Sequence, residues 1–210
     1  MRTRSLAIFF VSIVSAVASA QQRGGAPAAP PQAAMSMTIA GFQDGGQIPV
    51  KYSQAAPGVA AGEGLSPAIT WTNVPAGTQS FVLNMHDMDV ARNKTTDDQA
   101  HWILWNIPAT EKGLSEGQPK GRQLPNGAFQ MSATGEMYRG PGAPATGPYH
   151  HYTFELYALD TKLEVPQGTP QEAAATRNVW SLWLSGCARS SSTSSPTTWP
   201  KCSTSTSAMR

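Results

Sequence analysis

Residues 80–87, Ser-Phe-Val-Leu-Asn-Met-His-Asp, and residues 150–160, His-His-Tyr-Thr-Phe-Glu-Leu-Tyr-Ala-Leu-Asp, decide the fold. In both, apolar and polar side chains alternate with period two, the spacing of a half-buried strand and not of a helix. Ile69–Thr72 and His101–Ile107 are read as two further strands within a pattern that runs from Met35 to about Asp160. Turn residues separate them: Pro75-Ala76-Gly77, Pro125-Asn126-Gly127, and Gly140–Pro148, which holds three Pro and three Gly. Across the 210 residues, 19 Gly and 17 Pro suit many short strands joined by turns. The expectation is an antiparallel β-sandwich.

The N-terminus belongs to a different pattern. Arg2 and Arg4 precede an apolar run, Leu6–Val17, and Ala18-Ser19-Ala20 supplies a small-x-small cleavage site. Twelve apolar residues are short for a bilayer span, so residues 1–20 read as a secretory signal peptide. Its removal takes away two Arg and no acid, cancelling the net charge of +2. Neither balance suggests a nucleic-acid partner. Residues 21–34 are an Ala/Pro/Gly leader, and the domain is expected over 35–186. The protein is expected in the periplasm or secreted, with no transmembrane segment after cleavage.

Strand parity picks out the candidate site. Phe81, Leu83 and Met85 share a face with Asp87. His101 is placed with Ile103, Trp105 and Ile107, and His150 and Tyr152 with Phe154, Leu156 and Ala158. Three apolar faces thus end in ionisable groups, and Asp87, His101, His150 and Tyr152 converge at the rim of one core. A carboxylate and two imidazoles in such a place need partners or a ligand, and a small phosphate-like anion fits their donors. Asp87-Met88-Asp89 also admits a divalent-cation site with His101 and His150, and hence a metal-assisted or His/Asp acid–base hydrolase. Asp89 is otherwise a turn residue bonding its own backbone. His86 and His151 have the opposite parity, and Trp71, Trp102 and Trp105 read as core or interface aromatics. No G-x-S-x-G elbow and no phosphate-cradling Gly loop occurs.

The ordered set Ser66-Pro67-Ala68-Ile69-Thr70-Trp71, Val74-Pro75-Ala76-Gly77-Thr78, Asp87-x-Asp89, His101-Trp102-x-Leu104-x-Asn106-Ile107-Pro108 and Tyr138-Arg139-Gly140-Pro141…Pro144…Gly147-Pro148-x-His150-His151-Tyr152 resembles the phosphatidylethanolamine-binding protein family. The resemblance is nearest to its bacterial Raf-kinase-inhibitor-like branch and runs from about residue 37 to about 170. It implies a Greek-key sandwich of one large and one smaller sheet with a few short peripheral helices. It also implies an anion pocket for phosphate or phospho-head groups at Asp87, Asp89, His101, Pro144, His150 and Tyr152. The implied role is binding or inhibition without turnover or cofactor, an exported member meeting a protease sooner than a kinase. The resemblance leaves a homodimer open. The chain departs from the family in Met88 and Ala91, where two prolines are usual, in His151, where an Arg is common, and in Gly142-Ala143, where many relatives have Cys-Pro.

Past Pro166 the composition changes. Thr169-Pro170-Gln171-Glu172 reads as a helix start that Ala173–Trp183 continues. Residues 187–210 are Ser/Thr-rich and are expected to be disordered, with Cys187 and Cys202 able to form only a local disulfide. The bias after Asn178 resembles a change of reading frame, which would remove a strand and leave a sheet edge unpaired. Resequencing across Thr176–Trp180 tests this, and an intact frame overturns it.

Overall fold

The alternating segments build two antiparallel sheets. A computed structural model describes residues 33–91, 98–144, 146–165 and 167, together with the backbone of 204–209. The chain divides into two units, Met1–Pro31 and Gln32–Arg210; the first, with the expected signal peptide, lies outside the described residues. So do the expected helix after Thr169 and both cysteines.

The smaller sheet has the order β1-β2-β5, formed by Ser36–Ile39, Ile69–Thr72 and Gly113–Leu114. The larger sheet has the order β6-β4-β3-β7-β8, formed by Phe129–Met131, Asp98–Pro108, Ser80–Ala91, Tyr152–Leu159 and Thr204–Met209. Among the described residues the only helix is a 3-10 turn at Val50–Tyr52. The β-sandwich reading is therefore correct, with almost no helix. The principal core includes Ile69 and Trp71 of the smaller sheet and Phe81, Leu83, Trp102 and Phe154 of the larger one, none more than 2% exposed. The rings of Trp71 and Phe81 lie 5.2 Å apart, tilted by 57°, a geometry that adds about 0.5–1.5 kcal/mol to the burial itself.

Two strands follow their sequence pattern without a break. β3 and β7 pair in continuous register from Ser80↔Leu159 to Asp87↔Tyr152. β4 does not. Its register against β3 shifts between Ile107 and Leu104 and again between Trp102 and Ala100. At the first shift Asn106 takes φ 55°, a conformation in which Asn is among the better-tolerated side chains. Its side chain is tied at both ends, the Leu163 N–H donating to Oδ1 (2.7 Å) and Nδ2 donating to the Leu163 carbonyl (2.9 Å).

The bulge corrects the parity reading of β4. Trp102, Leu104 and Ile107 face the principal core, whereas Ile103 and Trp105 join Val82, Tyr157 and Leu163 on the opposite face. There Trp105 stacks on Phe129 at 5.6 Å, with the Arg122 guanidinium over both rings.

One strand of the larger sheet comes from the C-terminal tail. Thr204–Met209, within the stretch read as disordered, runs antiparallel to β7 from Tyr152↔Met209 to Tyr157↔Thr204. The edge of β7 that the altered tail was expected to expose is paired along these residues.

Candidate functional site

The unbroken β3–β7 register sets Asp87 directly opposite Tyr152. Asp87 is 2% exposed and Tyr152 3%, so the carboxylate must be satisfied by protein groups. Its Oδ2 lies 2.8 Å from His150 Nδ1 and 3.9 Å from His101 Nε2. Its Oδ1 accepts the Asp89 N–H at 3.0 Å. This i to i+2 bond folds the backbone after β3 and leaves Oδ2 aimed at the imidazoles.

His101 reaches this face through the second bulge. Trp102 pairs with Met85 and Ala100 with His86, so His101 is the extra residue between them, and a bulge residue can be re-aimed in this way. Simple alternation names His101 correctly but puts Ile103 and Trp105 beside it; two successive bulges restore its side. His101 is 1% exposed, and both ring nitrogens have protein partners. Nδ1 donates to the Arg139 carbonyl at 3.0 Å, and Nε2 lies 2.9 Å from the Gln99 amide nitrogen, which donates to it. This fixes the Nδ1–H tautomer. The His101 ring meets Tyr152 edge-on at 5.0 Å.

The Tyr152 hydroxyl accepts the Gly142 N–H at 3.2 Å. Burial, with the Asp87 carboxylate adding to it, pushes this phenol up to about 12, so it stays a donor over the whole physiological range. The His150 ring stacks 6.4 Å from Tyr152.

The remaining expected residues separate from this group. The Asp89 carboxylate is not spent on its own turn: its Oδ2 accepts both the His151 N–H and His151 Nδ1, the latter at 2.9 Å. The His151 backbone N–H is the main reason its carboxyl lies below the ordinary range. The pair is solvent-exposed, so Asp89 braces the segment before Tyr152 from outside. Pro144 is exposed, its carbonyl accepting the Gly147 N–H; the loop reaches the cluster through Gly142. His86 lies on the other face of the sheet, as its parity requires.

Three groups escaped sequence reasoning: the Gln99 amide, the Arg139 carbonyl and the Gly142 N–H. Gln99 stands opposite Asp87 in register, two residues before His101, where the sequence pattern starts this strand. The other two are backbone groups that carry no sequence signature. Among the described residues no group of three or more His, Cys, Asp and Glu is arranged to hold a metal ion, and no helix is long and apolar enough to cross a membrane.

Known proteins extend the comparison. A family model described as phosphatidylethanolamine-binding protein matches residues 38–184, carrying the resemblance past the change of composition at Pro166. A UPF0098 protein of Methanothermobacter thermautotrophicus is 36% identical over 140 residues, 66% of this chain and 85% of that one. A Mycobacterium tuberculosis protein provisionally named lipoprotein LppC is 33% identical over 150 residues, 70% of this chain and 67% of that one. The crystal structure of Escherichia coli YbcL, described as a new member of the mammalian PEBP family, matches with a TM-score of 0.61 at 25% identity, covering 84% of this chain and 97% of that one. None of these lends the hydrolase alternative support. With two facing antiparallel sheets, a family model across most of its length and relatives above 30% identity, the chain belongs to the phosphatidylethanolamine-binding protein family.

Proposed function

We propose that this chain is an exported, non-enzymatic binding protein that takes the phosphate of a small molecule or lipid head group at Asp87, His150 and Tyr152, with His101 behind them. The observation that carries the reading is the 2.8 Å bond between His150 Nδ1 and the buried Asp87 carboxylate. With Nδ1 committed to Asp87, Nε2 is the ring atom left for a ligand. In the protonated ring that atom is an N–H donor, and the charge of Asp87 is balanced by the imidazolium. The Tyr152 hydroxyl, bonded to the Asp87 carboxylate in the ligand-free site, turns to the ligand as a second donor. His101, bonded at both nitrogens, acts as the wall that holds Tyr152 and not as a direct anion contact. Pro144 belongs to the loop that borders the site, and Asp89 to its outer brace. The N-terminal Arg2–Ala20 pattern and a relative named as a lipoprotein support export.

Calorimetric titration of the full chain with inorganic phosphate and with glycerophosphoethanolamine tests the reading. Saturable binding that is lost in His150→Ala supports the assignment; binding that is absent, or that His150→Ala leaves unchanged, overturns it.

A further inference from the structure

The face of the larger sheet turned away from Asp87 carries a second polar cluster. His86, one residue earlier on β3, stands between two carboxylates. Its Nδ1 lies 2.8 Å from Asp98 Oδ2 on β4, and its Nε2 lies 3.5 Å from Glu155 Oε2 on β7. Asn84 Nδ2 donates to the same Glu155 oxygen at 3.1 Å. The side chains of His86, Glu155 and Asp98 are 17%, 24% and 37% exposed, so water screens the Glu155 contact only partly and the Asp98 contact more. Among the described residues, the titratable groups that face His86 are Asp98 from β4 and Glu155 from β7, with Tyr157 bonded to Glu155.

The position of this cluster gives it a consequence for the pocket. His86 pairs with Ala100, one step beyond the bulge that presents His101. Asp98 directly precedes Gln99, whose amide bonds His101 Nε2. After Asp87↔Gln99 the β3–β4 register breaks again, the next partner of Asp98 being Ala91. The start of β4 therefore lies between two irregularities, where backbone pairing alone specifies register weakly. The bond between His86 and Asp98 spans this interval.

We propose that His86 is a positioning residue for the pocket: by holding Asp98 of β4 and Glu155 of β7 to β3, it fixes the bulge that sets His101 and Gln99 beside Asp87. This rests on the pocket reading given above. The chemistry supports a charged clamp. Burial by itself would lower the His86 pKa, but the Glu155 and Asp98 carboxylates outweigh it and raise it above the ordinary histidine value. Glu155 is in turn held below the ordinary glutamate range: burial opposes this, but bonds from His86, Asn84 and Tyr157 outweigh it. The clamp is complete between these two ionisations and is released as pH rises through that of His86.

The test uses the full chain, His86→Gln and Asp98→Asn, with the imidazole resonances of ligand-free His101 and the affinity for inorganic phosphate as readouts from pH 5.5 to 8.5. Both substitutions should shift the His101 resonances and weaken phosphate binding about tenfold, the equivalent of ~1.4 kcal/mol, near the low end for a charged hydrogen bond. In the unsubstituted chain the His101 resonances should move as His86 deprotonates, and this movement should vanish in His86→Gln. Unchanged His101 resonances and phosphate affinity in both variants, with only a lower melting temperature, would overturn the proposal. Should the unsubstituted chain bind no phosphate, the pocket reading fails on its own, and the ligand-free His101 resonances still decide the role of His86.

Discussion

Replacing Asn106 tests the physical origin of the site, because the bulge at this residue sends Trp102 and Leu104 into the core and Trp105 out of it. Asn106→Ala removes two hydrogen bonds to the Leu163 backbone, at 2.7 and 2.9 Å. Each contributes a net ~1 kcal/mol. The φ of 55° adds strain of about 1 kcal/mol for an alanine, which lacks the local bonding that helps Asn into this region. The sum is about 3 kcal/mol. For a domain of this size, each kcal/mol lowers the melting temperature by roughly 2–4 °C, so a fall of about 6–12 °C is expected. Asn106→Gly loses the same two bonds but not the strain, so it should be the milder change despite the entropy that glycine loses on folding. Thermal unfolding followed by near-ultraviolet circular dichroism measures both, since Trp102 and Trp105 report on the packing of each face. Equal melting temperatures for the two variants, or a fall below 2 °C in Asn106→Ala, would refute the account of the bulge.

Further outcomes follow from the same geometry. Tyr152 should remain un-ionised when the protein is titrated to pH 11 by tyrosinate absorbance, its phenol being pushed up to about 12, and Tyr152→Phe should keep the fold while weakening phosphate binding. The raised His86 pKa gives a stability contribution that is fully present below the ordinary histidine value and lost as pH rises through the folded one. Melting temperatures from pH 5.5 to 8.5 should therefore fall more steeply in the unsubstituted chain than in His86→Gln. A Cβ at Gly140 would sit 2.8 Å from the Tyr52 carbonyl oxygen and 2.9 Å from that of Glu63. Gly140→Ala should cost about 1–3 kcal/mol in a denaturant melt and displace the loop that brings the Gly142 N–H to Tyr152.

What the sequence discloses about this site depends on whether a strand keeps its period. β3 and β7 do, and from their alternation alone Asp87 and Tyr152 face each other. β4 does not: its apolar residues run almost without interruption, so no periodicity marks where the bulges fall, and the positive φ of Asn106 is seen only in the structure. His101 was found because two bulges return it to the side that simple alternation gives. Of the two partners that His101 bonds, Gln99 becomes visible only when β4 is extended back to Asp98, and the Arg139 carbonyl is a backbone group with no sequence signature. Asp89 looked like a turn residue because Asp-x-Asp commonly is one; the turn bond belongs to Asp87, and His151, where relatives often have Arg, takes the Asp89 carboxylate. β8 escaped notice because Thr204-Ser205-Thr206-Ser207 offers no apolar alternation, and backbone pairing with β7 defines it.

In the proposed function His150, held by Asp87, meets a phosphate-bearing ligand. With four histidines in the chain, the imidazole resonances during a titration with inorganic phosphate near pH 6.5 address it most directly. The expected result is a saturable shift of the His150 resonances that Asp87→Ala abolishes, with those of the exposed His151 unmoved. A well-dispersed spectrum in which His150 does not respond, or in which His151 alone does, would contradict it.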